Sequence, residues 1–243
     1  LSPGIQEVRE HLLKVILELV QGYDLDGLHL DYIRYPNVNY DFNLINRAEF
    51  TRRFGFDPQT LVGKTNEQGG LSREKKKKLW EQWRTDQVSL QVSEIQQLLL
   101  NTKPWIKLSV AVKPNFELAY REFGQDWIKW INKQMVDFVV PMLYLGTTEE
   151  IGVQIQQIQK YVRKGHLYAG IGGFNQSPSA TEDQINQARR MGLKGIMFFS
   201  YDSLNKQPKL LKRLQTGLFR GPLADIPIMR WKRVRNGEKS KNR

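Results

Sequence analysis

The sequence predicts an α/β fold of the (β/α)8-barrel type, present as a partial barrel of five parallel strands with helical crossovers. Three observations predict it. Apolar residues alternate between helical spacing and strand spacing along the chain, and each strand-like segment leads into a helix-like one. Several strand segments end in polar or aromatic residues, as strands do at the catalytic mouth of a barrel. Five such units, however, fall short of the eight that close a barrel of about 250 residues.

The central stretch is Asp26-Gly27-Leu28-His29-Leu30-Asp31-Tyr32-Ile33-Arg34-Tyr35-Pro36. Successive strand side chains alternate faces, so Leu28 and Leu30 point one way and His29 and Asp31 the other. A buried parallel strand should read as nearly all apolar, so two inward polar residues need a reason. Asp31 is either a functional carboxylate at the strand's C-terminal end or a buried one holding loop amides.

Taking the chain in order, Ser2 as N-cap and Pro3 at the first helical position predict a helix with an Ile5, Val8, Leu12, Ile16, Leu19, Val20 stripe and a left-handed exit at Gly22. Residues 37–70 are polar without sustained period and read as a loop insertion. The basic run 73–78 is the solvated start of a helix continuing through Trp80, Arg84, Val88, Val92, Ile95 and Leu99 and stopping before Pro104. Residues 106–113 alternate as a strand whose inward side ends in Lys113. Asp126 is read as the cap of a helix containing Trp127 and Trp130, and 137–144 as a mostly apolar strand. Thr147 with Glu150, and Ser179 with Glu182, have the spacing of capping boxes; the second helix closes at Gly192. Strands are expected at 167–171 and 196–200, and the last helix at 208–218.

The chain has 243 residues, 40% hydrophobic and 11% aromatic, enough for a sizeable core. It has no apolar run of the roughly 18 residues that a transmembrane helix requires. With no cysteine there is no disulfide or thiol chemistry. Half of the net +12 charge lies in residues 220–243, expected to be a basic, disordered tail after a globular domain over 1–219. Such tails are commonly solvating; this one is able to contact anionic surfaces, and no nucleic-acid partner is expected.

The motifs Ser2-Pro3-Gly4, Glu7-Val8-Arg9, Tyr23 through Pro36, Trp83-Arg84, Lys103-Pro104, Asp126-Trp127, Pro141-Met142-Leu143-Tyr144 and Phe199-Ser200-Tyr201 occur in an order that resembles the glycosyl hydrolase-like family 10 domain. The resemblance implies that these are strands four to eight of a barrel, with three strand–helix units before the first helix absent and the sheet edges open. It also implies a bacterial cell-envelope glycan as substrate, peptide-stripped peptidoglycan strands among the candidates, and hence a cell-envelope or extracellular location. A long insertion after the first strand is a feature of the family too.

Glycosidic cleavage needs an acid for the leaving oxygen and a second carboxylate as nucleophile or base. Asp31 is the first candidate, similar in arrangement to the strand-four nucleophile of related barrel glycosidases that carry Asp-Gly-x-Arg-x-Asp, with His29 at the Arg position. His29 is either a satisfied interior histidine or a partner of Asp31 and a sugar hydroxyl. Asp202, on the inward face with Ser200 by alternation, is the second catalytic candidate and equally a cap. Glu117 follows the Lys113-Pro114 exit without a specific context. Tyr32, Tyr35, Trp127, Tyr144 and Tyr201 fall at strand ends; each taken singly reads first as a core residue, and their repeated placement there makes them candidate sugar platforms, with Arg34, Arg84 and Lys113 as donors. The pattern calls for no cofactor and no metal: dinucleotide, Walker and nucleophile-elbow motifs are absent, and three scattered histidines make a poor zinc set. A non-hydrolytic carbohydrate-binding module and a tail-mediated anion binder are the rival readings.

Overall fold

A computed structural model describes residues 2–62, 71–174 and 176–221. The basic tail beyond Gly221 lies outside the described residues, as does part of the insertion. The elements run α1 (Gln6–Gly22), β1 (Gly27–Leu30), α2 (Leu44–Phe54), α3 (Arg73–Thr102), β2 (Lys107–Val112), α4 (Phe116–Phe123), α5 (Trp127–Asn132), β3 (Phe138–Pro141), α6 (Thr148–Gln159), β4 (His166–Gly172), α7 (Pro178–Arg190), β5 (Gly195–Phe199), α8 (Tyr201–Asn205) and α9 (Pro208–Thr216). The five strands are parallel in the order β1-β2-β3-β4-β5, a curled half-barrel.

Register assigns the faces. Leu28 pairs with Leu108 and Leu30 with Val110, and these residues join Val139, Ala169 and Ile171 in the core between sheet and helices. The opposite, concave face carries His29 beside Ser109, then Phe138, Val140, Tyr168 and Met197. Phe138 and Tyr168 stack there, centroids 4.2 Å apart. Gly195 sits opposite Tyr168, and a Cβ on it would come within 2.3 Å of that ring.

Several boundaries differ from the sequence reading, each for a local reason. Ser2 does not cap α1, which starts at Gln6. Its hydroxyl donates to Asp41 and accepts from Asn46 Nδ2 at 2.8 Å, so it ties the chain start to α2. Gly22 is the last helical residue, and the chain leaves through Tyr23 in an extended conformation. Ser177, with Pro178 behind it, caps α7 in place of Ser179. The Thr147–Glu150 capping box and the Asp126 cap both form.

The segment read as a loop insertion contains α2 and a short 3-10 turn over Pro58–Leu61. Its apolar residues are few but aromatic: Phe50 packs edge-on against Trp80 at 5.0 Å, and Trp80 stacks on Trp83 at 5.0 Å. This satellite core explains α3, whose 30 residues bury one stripe against the sheet (Val88, Val92, Ile95, Leu99) and another against α2.

Candidate active site

The C-terminal end of β1 turns sharply. Tyr32 takes φ of 54°, a left-handed conformation that bulky side chains rarely adopt. The turn is held by Tyr32 N–H donating to Asp31 Oδ1 at 2.8 Å and by Arg34 N–H donating to the Tyr32 carbonyl at 2.7 Å. One oxygen of the exposed Asp31 carboxylate is thereby oriented, and the other takes no hydrogen bond among the described residues.

Below it on the same face, His29 Nδ1 lies 2.8 Å from Ser109 Oγ. Burial lowers the His29 pKa, and the nearby Asp31 charge only partly opposes it, so the imidazole is neutral near pH 7. Tyr144, two residues past the bridge that extends β3, faces the same charge. Burial, then Asp31 and Tyr32, push its phenol up to about 12, keeping it a hydrogen-bond donor. Its ring stacks on Phe199 at 5.9 Å and meets Phe174 edge-on at 5.8 Å. Phe174 and Phe199 are both exposed.

On the other flank, Arg34 and Lys113 share the ring of Phe123, at 5.5 Å and 5.0 Å from its centroid. Gln125, completely buried, binds the loops beneath them. Its Nε2 donates to the carbonyls of Ile33 (3.3 Å) and Ala111 (3.1 Å), and its Oε1 accepts from Lys113 N–H at 3.0 Å. The structure thus brings Asp31, His29, Tyr32, Arg34, Lys113 and Tyr144 to one end of the sheet.

Five other candidates go elsewhere. Tyr35 is 3% exposed and donates to Asp41 Oδ2 at 2.6 Å. Arg84 is 1% exposed, donates to the carbonyl of Asn37 at 2.7 Å, and lies over Tyr35 at 4.4 Å. Trp127 is fully buried, with Nε1–H donating to the Lys113 carbonyl at 3.0 Å. None of these three has a face open to a sugar, and each pins a loop that carries the site. Tyr201 and Asp202 are exposed on the first turn of α8, reached through a cis Phe199–Ser200 peptide and capped by Ser200. Asp202 follows β5, at the opposite edge of the sheet from the β1 strand that carries Asp31. Glu117 and Asp126 line a separate cleft of about 710 Å³ between α3, α4 and α5, to which Asp31 does not contribute. Burial raises the Asp126 pKa while its side chain caps α5, accepting from Lys129 N–H.

Sequence reasoning missed Ser109, Phe123, Gln125, Phe174 and Phe199. Ser109 was legible as an inward position by alternation, whereas alternation put Ser200 rather than Phe199 on the inward face; in the structure Phe199 follows Met197 on the concave side. Gln125 and Phe174 lie in irregular segments, and Phe123 ends a helix, α4, that the spacing did not reveal.

The sequence matches the model of the family described as Glycosyl hydrolase-like 10 over residues 1–187. It is 25% identical to the glycosyl hydrolase YngK of Bacillus subtilis (strain 168), over 94% of this chain and 47% of that one. It is 28% identical to an S-layer-related protein of Niallia circulans, over 84% of this chain and 15% of the other. The chain therefore spans half or less of the length of these relatives. Among solved structures, the PgaB (BpsB) glycoside hydrolase domain of Bordetella bronchiseptica superposes with a TM-score of 0.68 at 11% identity, covering 88% of this chain and 62% of that one. Bee venom hyaluronidase, solved with a hyaluronic acid tetramer, superposes with a TM-score of 0.54 at 12% identity, covering 89% and 76%. These likenesses establish the barrel-type fold, and the family match over most of the sequence settles membership: the chain belongs to the glycosyl hydrolase-like 10 family.

Proposed function

We propose that this chain carries part of the active site of a glycoside hydrolase acting on a polysaccharide of the bacterial cell envelope, with Asp31 as nucleophile or base. The observation that supports the reading most is the placement of Asp31: at the barrel-mouth end of β1, with a neutral imidazole and a protonated phenol facing it. Such groups donate to sugar hydroxyls without competing for the carboxylate's charge. Tyr32, Phe174 and Phe199 supply the flat apolar faces that sugar rings require. An envelope location rests on the S-layer-related relative and on the family resemblance. Domain limits of 1–219, with the remainder a basic tail, belong to the same reading.

One observation favours a binding module. The exits of β2, β3 and β4 present Lys113, Tyr144 and Phe174, so no second carboxylate stands on the strands between Asp31 and Asp202. Reducing-end release from peptide-stripped peptidoglycan strands separates the two readings. Asp31→Asn keeps an oxygen for Tyr32 N–H, so the fold should persist while turnover falls by at least about 10²-fold and binding survives. Binding without turnover by the wild-type chain would support the module, and neither binding nor turnover would end both readings.

A further inference from the structure

The chemistry assigned to Asp31 leaves two neighbouring cations unused. Arg34 and Lys113 are half-buried, both held against the Phe123 ring, and Arg34 also lies 4.5 Å from the centroid of Tyr32. Neither forms an ion pair among the described residues. Burial, followed by the Arg34 charge, pulls the Lys113 pKa down, and no carboxylate opposes it. Two like charges brought together out of water are unfavourable unless an anion joins them.

The pair is also held in place. Gln125 fixes the backbone on both sides through Ile33, Ala111 and Lys113, and the Lys113 carbonyl is further held by the Trp127 indole. A cationic pair on so rigid a base resembles a recognition element more than a solvated surface.

Resting on the glycan-acting reading, we propose that Arg34 and Lys113 form a carboxylate-binding subsite, so that the glycan taken at Asp31 bears an acidic sugar. The guanidinium fork of Arg34 matches the two oxygens of a carboxylate, and the Lys113 ammonium adds a point charge. The exposed Tyr32 ring beside Arg34 offers the apolar face against which the acidic sugar would lie. The carboxylate is that of a uronic acid or of an ether-linked acid on an amino sugar. Both present the same charged group to the pair.

The test compares hyaluronan and peptide-stripped peptidoglycan strands, each with its carboxyl-reduced neutral form, by calorimetric binding and by reducing-end release. The proteins are wild type, the Arg34→Gln/Lys113→Gln double variant, and the charge-keeping Lys113→Arg. The wild type is expected to prefer at least one acidic glycan over its reduced form by about tenfold or more, and the arm that shows this names the source of the carboxylate. The ratio should fall towards one in the double variant and be largely kept in Lys113→Arg. Should the double variant melt early by circular dichroism, Lys113→Gln alone decides. Equal handling of acidic and neutral glycans overturns the subsite while leaving the hydrolase reading intact. A preference that persists in a folded double variant overturns it as well. Preference without turnover keeps the subsite and removes the hydrolase reading, and no binding of any glycan removes both.

Discussion

His29 and Ser109 face each other in register across β1 and β2, with Nδ1 and Oγ 2.8 Å apart on the concave side of the sheet. The pairing explains why a parallel strand tolerates a polar residue in its middle. Burial keeps the imidazole neutral, outweighing the attraction of Asp31 for a proton. A histidine whose folded pKa lies below its unfolded value adds nothing to pH dependence above about 6.5, where both states are neutral. Below that, the unfolded chain takes up the proton first, and stability falls until the folded His29 is protonated too. Thermal melts between pH 7.5 and 5 should therefore show a drop that His29→Gln lessens. His166, lowered chiefly by burial, contributes in the same direction in both proteins and cancels in the comparison. An unchanged pH profile in the variant would contradict this account.

Tyr32 holds a left-handed backbone at φ 54° while exposing its ring. For a non-glycine residue that conformation costs roughly 1–2 kcal/mol. Tyr32→Gly should accordingly be more stable than Tyr32→Ala by about 1 kcal/mol in urea titrations. Both should lose glycan affinity, since both lose the ring and its contact with Arg34. If the alanine variant proved the more stable, the turn would not be strained as described.

How much of this was readable beforehand depended on periodicity. Five parallel strands followed from alternation, and the faces of β1 from Leu28 and Leu30 against His29 and Asp31. The 37–70 segment was opaque because α2 is anchored by aromatic contacts from α3 and by Ser2, about 40 residues upstream, and so shows no stripe of its own. At the site, residues on strands were legible by position. Tyr35, Arg84 and Trp127, all buried, read in sequence both as candidate ligand contacts and as packed residues, because a strand-end aromatic or arginine looks the same whether it faces solvent or a loop. Only tertiary hydrogen bonds, such as Tyr35 to Asp41, separate the two.

That Tyr35–Asp41 bond secures the root of the α2 segment. Asp41 also accepts from Ser2 and Asn43, and Arg84 lies over the Tyr35 ring. Burial, then Asp41, raise the Tyr35 pKa, so the phenol donates throughout the accessible pH range. Tyr35→Phe should lower stability by about 1–3 kcal/mol by leaving a buried carboxylate oxygen unpaired. Hydrogen exchange should quicken in α2 before it does in the strands. A loss of glycan affinity with unaltered exchange would instead restore Tyr35 to the binding surface.

Trp127 and Phe174 give opposite expectations for two aromatic residues near the same mouth. Trp127 is fully buried and its indole holds the Lys113 carbonyl, so Trp127→Ala removes a large packed side chain and a hydrogen bond together. A loss of roughly 3–5 kcal/mol is expected, with any effect on glycan handling following from misplacement of Lys113. Phe174 is 51% exposed and, among the described residues, its aromatic neighbours are Tyr144 and Phe199. Phe174→Ala should leave the melting temperature nearly unchanged while weakening glycan binding several-fold, as removal of one stacking face does. Measuring melting and binding on both variants places each ring on its side of the division. The assignment fails if Trp127→Ala melts like wild type, or if Phe174→Ala binds glycan like wild type.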